Sequence, residues 1–304
     1  WMHESLLSAS VLVLDPTNGQ VLVWVGGNNF RSTPYDCVIA KRQPASAFKP
    51  IVYAAALEKG FSMCDYFSNE AALYPEFLNW RPENADGESG GHAAMWYALS
   101  KSLNLPTVDV YMKTGYRNVE RTSAALGLML PKLERPAYAL GSHICSLKDL
   151  TRAYAAFANN GVIRDLTLIT EIKDARGNVI YTSGKPQGRK SVTQKTAQNI
   201  TKMLVTAVKE GTGRRLGSYL WTEIAGKTGT AQNYSDAWFM SYTQDMVCGV
   251  WVGAMSPKIH FRSGGNGSGS SLALPIAGKF YKQVSGNSVL RKRYLTGFSR
   301  MQLY

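Results

Sequence analysis

Two β-rich apolar runs open the chain, SASVLVL and QVLVWVGG, with the polar string Asp15-Pro16-Thr17-Asn18-Gly19 between them. Apolar runs on both sides of Asn-Gly, a pair that readily takes positive φ angles, predict a β-hairpin over residues 8–27. A helical pattern covers residues 46–57 (SAFKPIVYAAAL), with Pro50 in the first turn or just beyond it, where a missing amide donor is tolerated. Turn formers interrupt residues 60–94. Helical spacing returns at 95–101, 119–126 and 147–158, the last closed by Asn159-Asn160-Gly161. Residues 166–173 and 178–181 bracket Asp174-Ala175-Arg176-Gly177 as a second hairpin, and 193–210 form a long amphipathic helix ended by Gly211-Thr212-Gly213. Strand patterns at 222–231, 236–243 and 246–253 follow with short links, which predicts an antiparallel meander. Residues 264–271 suit a flexible loop and 272–284 a closing helix. Residues 285–304 are basic with scattered aromatics and carry no clear fold signal.

Strands at both ends with helices between them predict an α+β domain. The hairpin near 8–26 and the meander near 222–254 would share one five-stranded antiparallel sheet, flanked by helices, with a helical part near 45–215. One domain then spans 1–285, and a basic tail 286–304 follows. No internal repeat is found.

A chain of 304 residues can bury a large core. The net charge of +13 suits a polyanion: nucleic acid, anionic lipid headgroups or wall polymer. Charge alone puts nucleic acid first, yet Lys and Arg are scattered and build no basic helix or basic-aromatic repeat, so nucleic acid is not assigned as a partner. Cys37, Cys64, Cys145 and Cys248 form no C-x-x-C pair and sit among apolar residues, as buried free thiols do. His3, His92, His143 and His260 are isolated, so neither metal nor cofactor is assigned. No apolar stretch approaches the roughly 18 residues of a membrane span. The opening WMHESLLSASV lacks a signal peptide's features, which leaves a cytosolic protein or an excised domain.

Three short motifs carry candidate chemistry. Ser46 and Lys49, three apart at a helix start, place a hydroxyl beside an amine on one face. A helix N-terminus and a second cation both disfavour charge on Lys49, which lets it take the serine proton. Lys227-Thr228-Gly229-Thr230 lies on a strand pattern and suits an edge that binds a carboxylate, with close backbone approach at the glycine; a plain structural strand fits equally well. Gly226-Lys227-Thr228 also resembles the end of a phosphate loop, but Trp221 stands where that motif needs glycine. Ser102 and Asn104, in Ser102-Leu103-Asn104, could complete a proton relay to a leaving amine; taken singly they better suit a cap or turn.

Taken together and in this order, Ser-x-x-Lys, Ser-x-Asn and Lys-Thr-Gly form the set that penicillin-binding proteins and serine β-lactamases carry. The chain resembles the transpeptidase domain of bifunctional class A penicillin-binding proteins over residues 8–284. The likeness covers Asp15-Pro16-x-x-Gly19 with Gly26-Gly27, the run Arg42-Gln43-Pro44-Ala45-Ser46-Ala47-Phe48-Lys49-Pro50, and Pro82-x-Asn84 with Ala98-Leu99 and Leu105-Pro106. It continues through Ala139-Leu140-Gly141-Ser142, Ala153-Tyr154 and Phe157-Ala158-Asn159 to Asp236-Ala237-Trp238-Phe239 and Gly249-Val250-Trp251-Val252-Gly253. Ala45 replaces a usual glycine, and Ala231-Gln232-Asn233 replaces a usual Thr-Asn-Asp.

The resemblance implies a penicillin-binding, serine β-lactamase-like fold and a D,D-transpeptidase acting on peptidoglycan stem peptides. Ser46 would attack the donor amide, Lys49 would accept its proton, and the backbone amides of Ser46 and Thr230 would hold the oxyanion. Ser102 and Lys227 would deliver a proton to the leaving D-alanine. Thr228 and Thr230, on the strand that approaches closely at Gly229, would bind the donor carboxylate, and Asn104 its backbone amide. β-Lactam antibiotics would acylate Ser46 and stay. It further implies an upstream glycosyltransferase domain and an anchor, both absent from this chain, and a place on the extracytoplasmic face of the cytoplasmic membrane. The rivals are a D,D-carboxypeptidase, a β-lactamase and a non-catalytic β-lactam sensor. Between Asn104 and Lys227 no glutamate has asparagine four residues on, the pattern of the class A β-lactamase loop.

Overall fold

A computed structural model describes residues 7–29, 31, 34–184, 186–220 and 222–298. The hairpin forms as expected, from β1 (Ser8–Leu14) and β2 (Val21–Val25). Its turn is wider than Asn-Gly alone would make it, because the Asp15 carboxylate accepts from Thr17 N at 2.9 Å and from Asn18 Nδ2 at 3.0 Å. Gly19 alone takes the positive φ, 75°.

The meander supplies β3 (Ala225–Thr230), β4 (Asp236–Tyr242) and β5 (Val247–Gly253). The order β3-β4-β5-β1-β2 makes one antiparallel five-stranded sheet, closed by β1 against β5 from Ser8↔Gly253 to Leu14↔Val247. Strand periodicity of two sends alternate residues to opposite cores. Leu12, Trp238, Met240, Tyr242 and Trp251 face one, while Val13, Phe239, Cys248 and Val250 face the other.

The first core is filled by α1 (Lys49–Lys59), α2 (Met95–Lys101), α3 (Leu105–Thr114), α4 (Tyr116–Ala125), α5 (Leu147–Ala158) and α6 (Gln194–Lys209). The sequence pattern located five of these. It did not mark α3, whose Pro106 and β-branched Thr107, Val108 and Val110 are poor helix formers. Packing on α1 overrides that propensity, and Pro106 sits in the first turn, where its missing donor costs nothing. Residues 49–57 of α1 are all buried, since α3, α4 and α6 surround it and Ala54, Ala55 and Ala56 admit close neighbours. That central position is why the polar start of α1 ends up inside the protein.

The second core is covered by α7 (Ala273–Gly286) and α8 (Ser288–Tyr294). The basic tail is therefore not structureless throughout. The Asn287 side chain accepts from Val289 N and Leu290 N to start α8, and Tyr294, Leu295 and Phe298 are buried. Part of the expected loop at 264–271 is also a short helical turn, Gly264–Gly267. Residues 1–6, which include His3, together with Trp221 and tail residues 299–304, lie outside the described residues.

Candidate active site

The helix predicted from Ser46 begins differently. A 3₁₀ turn, Ala45–Phe48, precedes α1, so Ser46 stands on a tight turn and Lys49 on the first residue of the α-helix. Ala45 has φ 49°, the left-handed conformation that the more usual glycine would take there. Neighbours hold the turn in place. Ala45 N donates to Gly141 O at 3.2 Å, and a Cβ on Gly141 would lie 2.2 Å from Ala45 O. Tyr154 Oη donates to Ala47 O at 2.7 Å, and Trp238 Nε1 to Gln43 O at 2.8 Å. Gly229 of β3 faces the turn, where a Cβ would meet Pro44 O at 2.7 Å. The close approach expected at this glycine is thus to the serine turn. Arg42 anchors the segment to the sheet through a 2.7 Å ion pair with Asp236.

Lys49 is fully buried. Its Nζ donates to Ser102 O and Asn104 Oδ1 at 2.7 Å, to Leu103 O at 3.1 Å and, weakly, to Ser102 Oγ at 3.4 Å. None of these bonds reaches Ser46, which is half-buried on the same turn. Ser102 has φ 62° and closes α2, turning its hydroxyl toward β3. There Lys227 Nζ donates to Ser102 Oγ at 2.8 Å and to Thr228 O at 3.0 Å. Ser102 Oγ therefore stands between two buried lysines. Among the described residues, neither ammonium forms an ion pair with a carboxylate.

Burial without compensating charge favours the neutral amine. Burial, and then the charge of Lys227, push Lys49 well below the usual lysine range. Burial alone brings Lys227 down to about 7. A lysine whose proton affinity is lowered in this way, at the start of the helix beside a partly exposed hydroxyl, can activate that hydroxyl as a nucleophile.

The structure thus joins Lys49, Ser102, Asn104 and Lys227 in one hydrogen-bonded chain and sets Ser46 beside it. β3 is the sheet's edge strand, as expected for a segment that receives an extended ligand. The Thr228 hydroxyl donates to Thr212 Oγ1 at 2.9 Å and Thr230 Oγ1 accepts from Gly269 N at 3.0 Å, so in this state both hydroxyls engage the protein. Sequence reasoning marked Thr212 only as a helix stop and gave Asn84 and Arg42 no role. Asn84 accepts from Asn104 N at 2.7 Å, and Arg42 meets a partner 194 positions away. Pattern along the chain has no signal for such pairings.

The family model for the penicillin-binding protein transpeptidase domain matches residues 9–282. Penicillin-binding protein 1A of Neisseria gonorrhoeae is 31% identical over 289 residues, covering 90% of this chain and 35% of that protein. Its counterpart from Aquifex aeolicus is 33% identical over 285 residues, covering 92% and 38%. The chain thus spans little more than a third of these relatives. Among solved structures, penicillin-binding protein 1A from Haemophilus influenzae superposes with a TM-score of 0.87 at 21% identity, covering 93% of this chain and 48% of that one. The PonA1 protein of Mycobacterium tuberculosis in complex with penicillin V gives 0.79 at 24%, covering 93% and 79%.

Proposed function

The chain belongs to the penicillin-binding protein transpeptidase domain family, and from that premise we propose that it is a serine D,D-transpeptidase that cross-links peptidoglycan stem peptides. The observation that carries this reading is the buried chain Lys49–Ser102–Lys227, without a carboxylate partner among the described residues, beside the half-buried Ser46.

Ser46 Oγ attacks the carbonyl carbon of the amide before the donor's terminal D-alanine, and Lys49 takes the hydroxyl proton. The ammonium so formed has the oxygens of Ser102, Leu103 and Asn104 within 3.1 Å to hold it. The backbone amides of Ser46 and Thr230 stabilise the oxyanion. When the tetrahedral species collapses, the C–N bond breaks and the leaving nitrogen is protonated through Ser102, with Lys227 behind it. What remains is a serine ester. An amine from a second stem peptide attacks the ester carbon, loses a proton to the same relay, and releases Ser46 with a new amide bond. Thr228 and Thr230 bind the donor carboxylate once their hydroxyls turn from Thr212 and Gly269, and Asn104 binds a donor backbone amide. A β-lactam ring opens on Ser46 by the same first step. The chain spans little more than a third of its relatives' length, and the full protein would carry, as the family resemblance implies, an upstream glycosyltransferase domain and an anchor at the extracytoplasmic membrane face.

Intact mass after incubation with benzylpenicillin tests the reading. One penicilloyl group per chain, mapped to Ser46 and lost in Ser46→Ala, is expected. An unmodified mass or a label on another residue overturns it, and rapid turnover of the adduct would make the protein a β-lactamase.

A further inference from the structure

We propose that Asn84, together with the carbonyl of Glu83, is a positioning residue for Lys49: Asn84 holds the backbone of the link that carries Asn104, and the Glu83 carbonyl selects which end of the Asn104 amide faces the lysine. The inference deepens the transpeptidase reading and rests on it.

The oxygens around Lys49 Nζ all come from residues 102–104, the three-residue link between α2 and α3. A link so short and polar needs an external hold. Asn104 is the N-cap of α3, yet its side chain does not cap that helix, because it is turned to Lys49. Two of the unpaired amides at the start of α3 are met instead by Asn84, whose Oδ1 accepts from Asn104 N at 2.7 Å and from Leu105 N at 3.1 Å. Pro106 presents no third donor. Asn84 is buried although residues 85–91 around it are exposed, and its Nδ2 donates to Asn69 Oδ1 and Glu88 O, both at 2.8 Å. Both ends of this amide are therefore fully used.

Asn104 is held from both sides. Its Oδ1 accepts from Lys49 and its Nδ2 donates to Glu83 O, each at 2.7 Å. A backbone carbonyl can only accept, so it requires the nitrogen end; the lysine, as donor, requires the oxygen end. The reversed amide would set oxygen against oxygen at Glu83 and, whenever Lys49 carries its proton, donor against donor at the lysine. Residues 83–84 thereby decide that Lys49 meets an acceptor, and they close the 102–104 link over a lysine whose proton affinity is low chiefly because water is excluded. Among the described residues, the charge set against Lys49 by the surrounding elements is Lys227 of β3. Loss of Asn84 would admit water, raise the lysine's proton affinity and supply the neutral base only at higher pH.

The test is the second-order rate of acylation by a fluorescent penicillin, measured from pH 6 to 10, with the folded fraction followed by near-ultraviolet circular dichroism. Asn84→Ala should lower the rate at pH 7 by about ten- to a hundredfold, the range expected for a misplaced general base. It should also move the rising limb of the pH profile upward. Asn84→Asp keeps an acceptor for both amides but sets its second oxygen against Asn69 Oδ1 and Glu88 O, so it should recover the rate only in part, above Asn84→Ala and below wild type. A wild-type rate and profile in Asn84→Ala overturns the proposal, as does a rate loss that only tracks the folded fraction with the limb unmoved. Should Asn84→Ala not fold, a wild-type rate and profile in a folded Asn84→Ser, whose side chain is too short to span both amides, overturns it. Wild-type protein that takes no label on Ser46 defeats the transpeptidase reading instead, so the two failures are distinguishable.

Discussion

Two buried charged clusters flank the serine turn, and they differ in whether their charge is balanced. On the sheet side, Arg42 and Asp236 pair at 2.7 Å, with side chains 11% and 3% exposed. Asp236 also accepts from Trp251 Nε1 at 2.9 Å and from Ser235 Oγ at 2.7 Å, while the guanidinium reaches the carbonyls of Ala254 and Met255 and stacks 5.2 Å above Trp251. On the helical side, Lys49 and Lys227 are both buried and share Ser102 Oγ, with no carboxylate partner among the described residues. A balanced cluster can remain charged and act as a clamp. An unbalanced one lowers its own proton affinity and becomes a base. The clamp holds the turn; on the proposed function, the lysine pair acts on the hydroxyl the turn presents.

The largest effect should come from removing the base. Lys49→Met is expected to lower the rate of acylation by a β-lactam by about 10² to 10⁴, the usual worth of a positioned general base. Its thermal midpoint should stay within a few degrees of wild type, because an uncompensated buried amine is replaced by an apolar chain of similar length. A loss of stability with little loss of rate would make Lys49 a structural residue and end the contrast between the clusters.

The clamp should respond in the opposite way. Asp236→Ala leaves Arg42 without its counter-charge and Trp251 Nε1 without its acceptor, so a loss of about 3–5 kcal/mol in unfolding free energy is expected. Calorimetry and urea unfolding measure it. The folded fraction should still acylate, more slowly, since Ser46 lies four residues beyond Arg42. If Asp236→Ala is as stable as wild type but unreactive, the carboxylate belongs to the chemistry and the two clusters do not divide into clamp and base.

How much of this was legible in the sequence follows the same line. The hairpin, the meander and the helices at 95–101 and 147–158 were readable because period and turn chemistry are local properties. Ser46, Lys49, Ser102 and Lys227 were readable because their spacing is short or their order distinctive. The clamp was not, since Arg42 and Asp236 are 194 positions apart and each alone is an ordinary charged residue. Nor was α3, where Pro106 and β-branched residues argue against helix and only contact with α1 argues for it. The split at Phe48 between 3₁₀ turn and α-helix escaped for a similar reason: Ala45 is held left-handed by Gly141, 96 positions on.

A smaller effect should appear in the dependence of stability on pH. Folding lowers Lys227 to about 7, against an unfolded value of about 10.4. Between these values the unfolded chain binds a proton that the folded chain does not, so this residue makes stability rise with pH across that window. Below pH 7 its destabilising effect is present in full, and it fades toward pH 10. Lys227→Met removes it. The stability of the variant relative to wild type, from urea unfolding at pH 6 to 10, should therefore be greatest near neutrality and decline as pH rises. Parallel curves would show that Lys227 keeps its proton when buried, and the unbalanced cluster would not be neutral.

The smallest effect concerns the turn that both clusters border. Ala45 has φ 49°, where a side chain costs roughly 1–2 kcal/mol relative to the right-handed region. Ala45→Gly relieves that cost but gives the unfolded chain more freedom, worth roughly 0.5–1 kcal/mol, and removes a buried methyl. The balance favours the variant by less than about 1 kcal/mol. Ala45→Val should destabilise, because a β-branched residue tolerates this region poorly. The rate of acylation tells whether the strain has a role. If the hydrogen bonds from Tyr154 to Ala47 O and from Trp238 to Gln43 O are enough to place Ser46, Ala45→Gly keeps the wild-type rate. A stabler variant that acylates tenfold more slowly would show that the methyl group holds the serine in position.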